Sequence, residues 1–474
     1  MDSQDIAPFA RPAPAGPVRI AWFSAVALAA VLVVARLAIY LAWQLPAPMG
    51  DGVLFASVAN YHCATGRFET PIFPLDPTGA YRYTWHGIGH PALLSWLNPD
   101  CSSEGAFLAL TLVLAASLAL VWAITHHLGA RVWLALAVTV FALQAKQGFR
   151  PETTTVLWLL LCAALRARQQ WSWWTTATGV LAWIHPTVFI LYAAYSALCL
   201  RVPDWRALWL SARAWLPAAL LAQALLLWLY PFPLADLLQG LSLQGQSFWQ
   251  RSDGSVFTYL VRSDFFPLFG VAFVLVFALS VRRRVALLAL LPLIWFYGVR
   301  VPPAYYNLVP LFVVMLLDLL LDTPAQNSPW PWRATQAALW ASALLALSGL
   351  SQSVLRDAAS RLQYRSTLAD AHHHLKALEK QGLAVCELPA FFTLVEPARA
   401  FSPSMSPRWG ACDQTPAAGR RDLVLHSHWH ARPDAAKCEP LPTPPAPAWL
   451  PALFRSDSGY SFVICPHRPE SSGP

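Results

Sequence analysis

The stretch AWFSAVALAAVLVVARLAIYLAWQL occupies residues 21–45 and carries one charge, Arg36. A helix needs about 20 apolar residues to cross a bilayer core of about 30 Å. This run is also too long for the core of a signal peptide, so it reads as a retained span. PMGDG follows at residues 48–52, which makes Asp51 the first acidic residue beyond the span. Residues 1–17, rich in Pro and Ala, read as a disordered tail.

The whole chain shares this character. It has 474 residues, 56% hydrophobic and 12% charged, with a mean hydropathy of +0.44. Soluble domains carry about 25% charged residues. The deficit, together with repeated long apolar runs, indicates a polytopic membrane protein. The 23 Trp residues suit aromatic belts at the two interfaces. The net charge of +8 comes from Arg dispersed among short loops. No nucleic-acid module is present, and nucleic acid is excluded as a partner.

Spanning segments are expected at 21–45, 106–128, 132–148, 153–165, 172–186, 187–200, 208–230, 265–281, 285–299, 303–321 and 334–352. The expected fold is therefore all-α and polytopic, with about eleven transmembrane helices. Loop charge sets the orientation. One alternating set of loops carries Arg11 and Arg19, Arg131, Arg166 and Arg168, Arg201 to Arg213, Arg282 to Arg284, and Arg333. By the positive-inside rule these loops face the cytoplasm. The loops 46–105 and 231–264 and the tail 353–474 then face outward. The expected domains are a cytoplasmic tail over 1–20, a membrane domain over 21–352 and a periplasmic domain over 353–474.

Cys63 and Cys101 share the first outer loop, and Cys386, Cys412, Cys438 and Cys465 lie in the tail. An even set on the oxidising side permits disulfides, with Cys63–Cys101 the natural loop pair and three connectivities open in the tail. Cys162 and Cys199 lie within helices. The tail reads as a small α+β domain, with a helix over 368–381 and strands over 383–388, 422–428 and 460–465.

Several groups carry candidate chemistry. Residues 52–65, GVLFASVANYHCAT, place Val53, Leu54, Val58 and Tyr61 on one helical face. That pattern predicts a helix lying flat on the membrane surface, with Asp51 at its start. Asp51 suits two roles there, base and helix cap. The segment YRYTWHGIGHP, residues 81–91, supplies Tyr83, Trp85, His86 and His90, which suit sugar or headgroup contacts or an interfacial aromatic belt. Lys146, Arg150 and Arg300 are outer cations near helix ends, placed for a phosphate clamp. The competing role for Arg150 is pairing with Glu152. His185-Pro186 marks an outer turn or a kink. His426, His428 and His430 share one strand face, but no flanking pattern supports a metal site there. There is no Walker motif, no phosphate-binding Gly loop and no nucleophile elbow.

The layout resembles the C-type membrane glycosyltransferases, the superfamily that includes the protein O-mannosyltransferases and the aminoarabinose transferases. The resemblance rests on Asp51 after the first span, the helical segment 52–65, the aromatic segment 83–93 with His90-Pro91, and the Arg-Pro-Glu turn at Arg150. It implies transfer of a sugar from a polyprenyl-phosphate donor to a hydroxyl of a lipid, glycan or protein. The setting would be the outer face of a bacterial inner membrane. It also implies Asp51 as the catalytic base, Lys146, Arg150 and Arg300 on the donor phosphate, and Tyr83, Trp85, His86, His90 and Glu152 on substrate. Many relatives have an acidic pair where this chain has Asp51-Gly52. No cofactor is firmly implied, and a divalent ion, Mg²⁺ or Mn²⁺, is compatible with the resemblance. Two other classes compete. An O-antigen ligase or polymerase would rely on outer Arg and His rather than on an acid in the first loop. A lipid or sugar transporter would spread polar residues through its spans.

The charge alternation predicts an inner N-terminus and an outer C-terminus. A reporter fused after Pro474 should be active only in a form that functions outside the cytoplasm. Activity from a cytoplasm-only reporter would reverse the topology.

Overall fold

A computed structural model describes residues 51–70, 81–82, 87–126, 128–199, 205–210, 309–322, 384–387, 420–426, 438–440 and 461–466. It also describes scattered helical positions between 220 and 228 and between 333 and 345. The expected spans 21–45, 265–281 and 285–299, the helix 368–381, and Arg36, Tyr83, Trp85, His86 and Arg300 lie outside the described residues.

Eight helices are described from end to end: α1 Asp51–Thr65, α2 Gly89–Trp96, α3 Ser103–Thr125, α4 Ala130–Gln147, α5 Pro151–Ala167, α6 Trp171–Ile184, α7 Pro186–Cys199 and α8 Val309–Asp322. Helices α3 to α7 fall within a few residues of the apolar segments expected there. The stretch Gly105–Thr125 is long and apolar enough to cross a bilayer. Its outer face is apolar too: Leu108, Leu112 and Trp122 are exposed, while Leu110, Leu114 and Val121 are buried. The buried hydroxyls of α3 bond to carbonyls of their own helix. Thr111 and Ser117 donate to the carbonyls of Phe107 and Val113 at 3.0 and 2.8 Å, the local bonding that lets hydroxyls sit in hydrocarbon.

Helix ends follow local chemistry. Ser102 caps α3 by accepting from the Gly105 N–H at 3.0 Å. α1 ends at Gly66, whose φ of +73° suits glycine. α5 begins on Pro151, where a missing N–H costs nothing.

The centre of the bundle is α5, which packs against α2, α3, α4, α6 and α8. Its buried Leu159 and Leu160 share one core with Leu114, Leu136, Leu181, Tyr192 and Leu317. At His185-Pro186 the chain reverses. Trp174 Nε1 donates to the Tyr192 hydroxyl at 3.1 Å, whereas residues 18 apart in one continuous helix would be separated by about 27 Å. The turn reading of His185 therefore holds over the kink. The last turn of α5 brings a second feature that loop counting missed. Arg166, expected among the cytoplasmic loop charges, is paired with Asp318 of α8 at 2.6 Å, with the Asp318 side chain 2% exposed.

α1 departs from its expected place. Phe55, Ala56, Ser57, Val58, Ala59 and Asn60 are consecutive and all buried. The helix is thus enclosed by protein around its circumference instead of lying flat on the membrane. Its small residues Ala56 and Ala59 join Leu94, Phe107, Leu110 and Phe149 in a second core cluster. The expected pair Cys63–Cys101 is formed, with the Cα atoms 5.6 Å apart. It fastens the end of α1 to the turn before α3. Cys162 and Cys199 are not joined in a disulfide.

Two short strands, β1 Glu69–Thr70 and β2 Tyr81–Arg82, pair antiparallel in the first outer loop. In the tail, β3 Ala384–Glu387, β4 Arg420–His426, β5 Glu439–Pro440 and β6 Ser461–Pro466 form one sheet in the order β3-β4-β6-β5. Three of these strands fall on the segments expected to be extended. β3 runs parallel to β4, and β6 is antiparallel to both β4 and β5.

The register narrows the tail disulfides. Cys386 and Cys465 both align with Asp422, one on each side of β4. Two strand spacings separate them by about 9–10 Å, beyond the reach of about 7 Å for a disulfide. Glu439 pairs with Ile464, so the next step of the ladder sets Cys438 opposite Cys465. Cys438 is disulfide-bonded. Peptide mapping of unreduced protein should therefore find Cys438 joined to Cys465 and Cys386 joined to Cys412. A Cys386–Cys465 peptide would contradict the register.

Candidate functional site

Four elements meet around the turn between α4 and α5. α4 closes at Gly148, whose φ is +56°, and the chain re-enters a helix at Pro151. Phe149 points into the protein, 2% exposed, and meets Phe107 edge-on at 5.2 Å between ring centres. A Cβ built on Gly52 would lie 3.9 Å from the Cβ of Phe149. The start of α1, with Asp51 as its first residue, therefore abuts the turn that carries Arg150. Asp51 and Lys146, the latter in the last turn of α4, are placed here by the backbone alone.

His90 locks this turn from behind. Its Nε2–H donates to the Phe149 carbonyl at 2.6 Å. Its Nδ1 then accepts from the Thr154 hydroxyl at 2.8 Å. One neutral tautomer satisfies both contacts. The ring is 0% exposed and meets Phe55 of α1 edge-on at 5.8 Å. In this structure the buried ring ties α2 to the turn through both nitrogens.

The glycines around His90 now have a reason. The segment Gly87-Ile88-Gly89 presses on the end of α6. A Cβ on Gly87 would run into the backbone carbonyl of Trp183, and one on Gly89 would come within 2.7 Å of Ile184 Cγ1. Backbone cannot give way as a flexible side chain can.

Glu152, expected on substrate, is 1% exposed. Its carboxylate faces two groups, Arg150 Nε at 3.4 Å from Oε2 and His185 Nε2 at 3.8 Å from Oε1. The Arg150–Glu152 pairing is thus present, while the Arg150 side chain keeps 22% exposure. His185 was read only as a turn marker. The signal that could have raised it is its place at an outer hairpin opposite an acidic helix start.

Beneath the turn, the Gln144 amide nitrogen and the Thr153 hydroxyl are tied off. Gln144 Nε2 donates to Ser117 Oγ at 2.9 Å and to the Thr153 carbonyl at 3.0 Å. The Thr153 hydroxyl donates to the Gly148 carbonyl at 3.0 Å. Near the disulfide, the Ser95 hydroxyl donates to Ala92, so His62 Nδ1–H donates to Ser95 at 2.7 Å. Burial holds the His62 imidazole below its ordinary pKa. Among the described residues, no three His, Cys, Asp or Glu side chains converge as metal ligands would.

Two solved structures are alike over most of the chain. Both are ArnT from Cupriavidus metallidurans, one in the apo state and one bound to undecaprenyl phosphate. Their sequences are 13% and 14% identical to this one. The TM-score is 0.46 for each, over 92% of this chain and 97% of theirs. The chain is similar to ArnT. No protein-family model matches it, and no curated protein matches it.

Gly87→Ala should destabilise the fold by about 1–3 kcal/mol, the usual cost of overpacking against atoms that cannot retreat. Thermal unfolding in detergent would show it as a lowered midpoint. An unchanged midpoint would mean that the contact with Trp183 is looser than described.

Proposed function

We propose that the protein is a membrane glycosyltransferase that moves a sugar from a polyprenyl-phosphate donor to an acceptor hydroxyl at the outer membrane surface. The observation that carries this reading is the contact of the α1 start, bearing Asp51, with the turn bearing Arg150. It supports a reading in which an acid and a cation act together at the ends of these helices. Two helix N-termini, of α1 and α5, converge there, and helix N-termini favour anions. ArnT from Cupriavidus metallidurans, in one of the two structures named above, holds undecaprenyl phosphate. A lipid of that class is the donor carrier proposed here.

In this reading Asp51 accepts the proton of the acceptor hydroxyl as its oxygen bonds to the anomeric carbon. The bond between that carbon and the phosphate oxygen breaks, and the pair of electrons leaves with the polyprenyl phosphate. Arg150, with Lys146 and Arg300, stabilises the charge that grows on the departing phosphate. Arg can engage it through two N–H groups, whereas Lys acts as a point charge. The proposed setting is the inner membrane of a bacterium, with the 353–474 domain in the periplasm.

Asp51→Asn keeps the shape of the side chain and its ability to cap a helix but removes the base. Transfer should fall by roughly 10²–10⁴, with expression and the unfolding midpoint retained. Turnover of radiolabelled polyprenyl-phosphate sugar by purified protein measures this. Near-normal turnover would reduce Asp51 to a cap.

A further inference from the structure

Glu152 is a carboxylate buried in the first turn of α5. A charge in such a place requires partners. Two face it, and they differ in freedom. Arg150 lies in the turn between α4 and α5 and is 22% exposed. His185 is buried at the α6–α7 hairpin, where its N–H is bonded to the Leu181 carbonyl at 2.8 Å and its own carbonyl accepts from Phe189 at 2.9 Å. Pro186 fixes the next φ. One partner can swing, and the other is held by the backbone around it.

We propose that His185 is a positioning residue for donor binding: it takes over the Glu152 carboxylate when Arg150 turns from Glu152 to the donor phosphate. The proposal rests on the phosphate role given to Arg150 under the proposed function. Its logic is a competition. Glu152 and the phosphate are both anions, and Arg150 can be fully engaged by one of them. Without a second donor, leaving Glu152 would strand a buried charge and oppose binding. His185 supplies that donor from across the site. Its Nε2 is 3.8 Å from Oε1, so a shift of about 1 Å brings it to hydrogen-bond distance. The Nε2–H tautomer suffices, and no change of protonation is required. His90 cannot substitute, because its nitrogens are committed to Phe149 and Thr154.

The test uses the full chain in lipid nanodiscs with undecaprenyl phosphate as the probe. Binding is titrated for the wild type, His185→Leu, His185→Gln, Glu152→Gln and His185→Leu/Glu152→Gln. His185→Leu should weaken binding roughly three- to tenfold, the range of one hydrogen bond. His185→Gln keeps a donor and should stay close to the wild type. Glu152→Gln removes the competitor and should bind at least as tightly as the wild type. The double variant should recover the loss seen in His185→Leu, which a merely structural role for His185 would not allow. Unchanged binding in His185→Leu, weaker binding in Glu152→Gln, or a double variant as weak as His185→Leu would each overturn the proposal. If His185→Leu does not fold, the Glu152→Gln result decides alone. A wild-type protein that does not bind the probe would overturn the phosphate reading itself, and the proposal with it.

Discussion

One imidazole joins the two halves of the outer site. His90 reaches from α2 to the Phe149 carbonyl and the Thr154 hydroxyl, and the remaining geometry hangs on that bridge. The backbone between α4 and α5 leaves the helical pattern for three residues, 148–150, and backbone polar groups at membrane depth must find partners inside the protein. His90 meets that demand at Phe149. Once the turn is fixed, the Cβ of Phe149 stands beside Gly52 at the start of α1.

Charge is distributed along α5 with a division of labour. At one end, Arg150 and His185 flank Glu152. At the other, Arg166 binds Asp318 at 2.6 Å. A rise of 1.5 Å per residue puts the two clusters about 21 Å apart. Breaking a buried pair by removing one member costs about 3–5 kcal/mol, so the Arg166–Asp318 contact pins α8 to α5 at a fixed depth. The outer cluster is looser, with longer distances and a partly exposed guanidinium. Rigidity at one end and freedom at the other suit a helix that must keep a bundle together while its head handles a ligand.

Much of this was legible in the chain. Apolar length placed α3 to α7, because a span has to satisfy a length and cannot be padded with charge. The Cys63–Cys101 bridge followed from two cysteines in one outer loop. The tail strands followed from their alternation. What escaped was the identity of neighbours. The stripe of Val53, Leu54, Val58 and Tyr61 suggested a surface helix, yet an interfacial helix is rich in Lys and Arg. Residues 52–65 contain neither, and the segment is enclosed instead. The burial of His90 and Glu152 was not legible, because a motif shows residue type and order but not which way a side chain turns. The Arg166–Asp318 contact joins residues 152 positions apart, and local pattern does not report such pairs. His185 was hidden by its proline, which explained the turn so well that the imidazole needed no further account.

The α6–α7 hairpin carries a consequence for the membrane around it. Each arm has 14 residues, which at 1.5 Å per residue is about 21 Å. The hydrocarbon layer of a bilayer is about 30 Å thick. Helices this short create a hydrophobic mismatch, which lipids relieve by thinning around the protein. The bilayer beside the hairpin tip would then dip toward His185. The protein would thus reshape the solvent it lives in around these short helices.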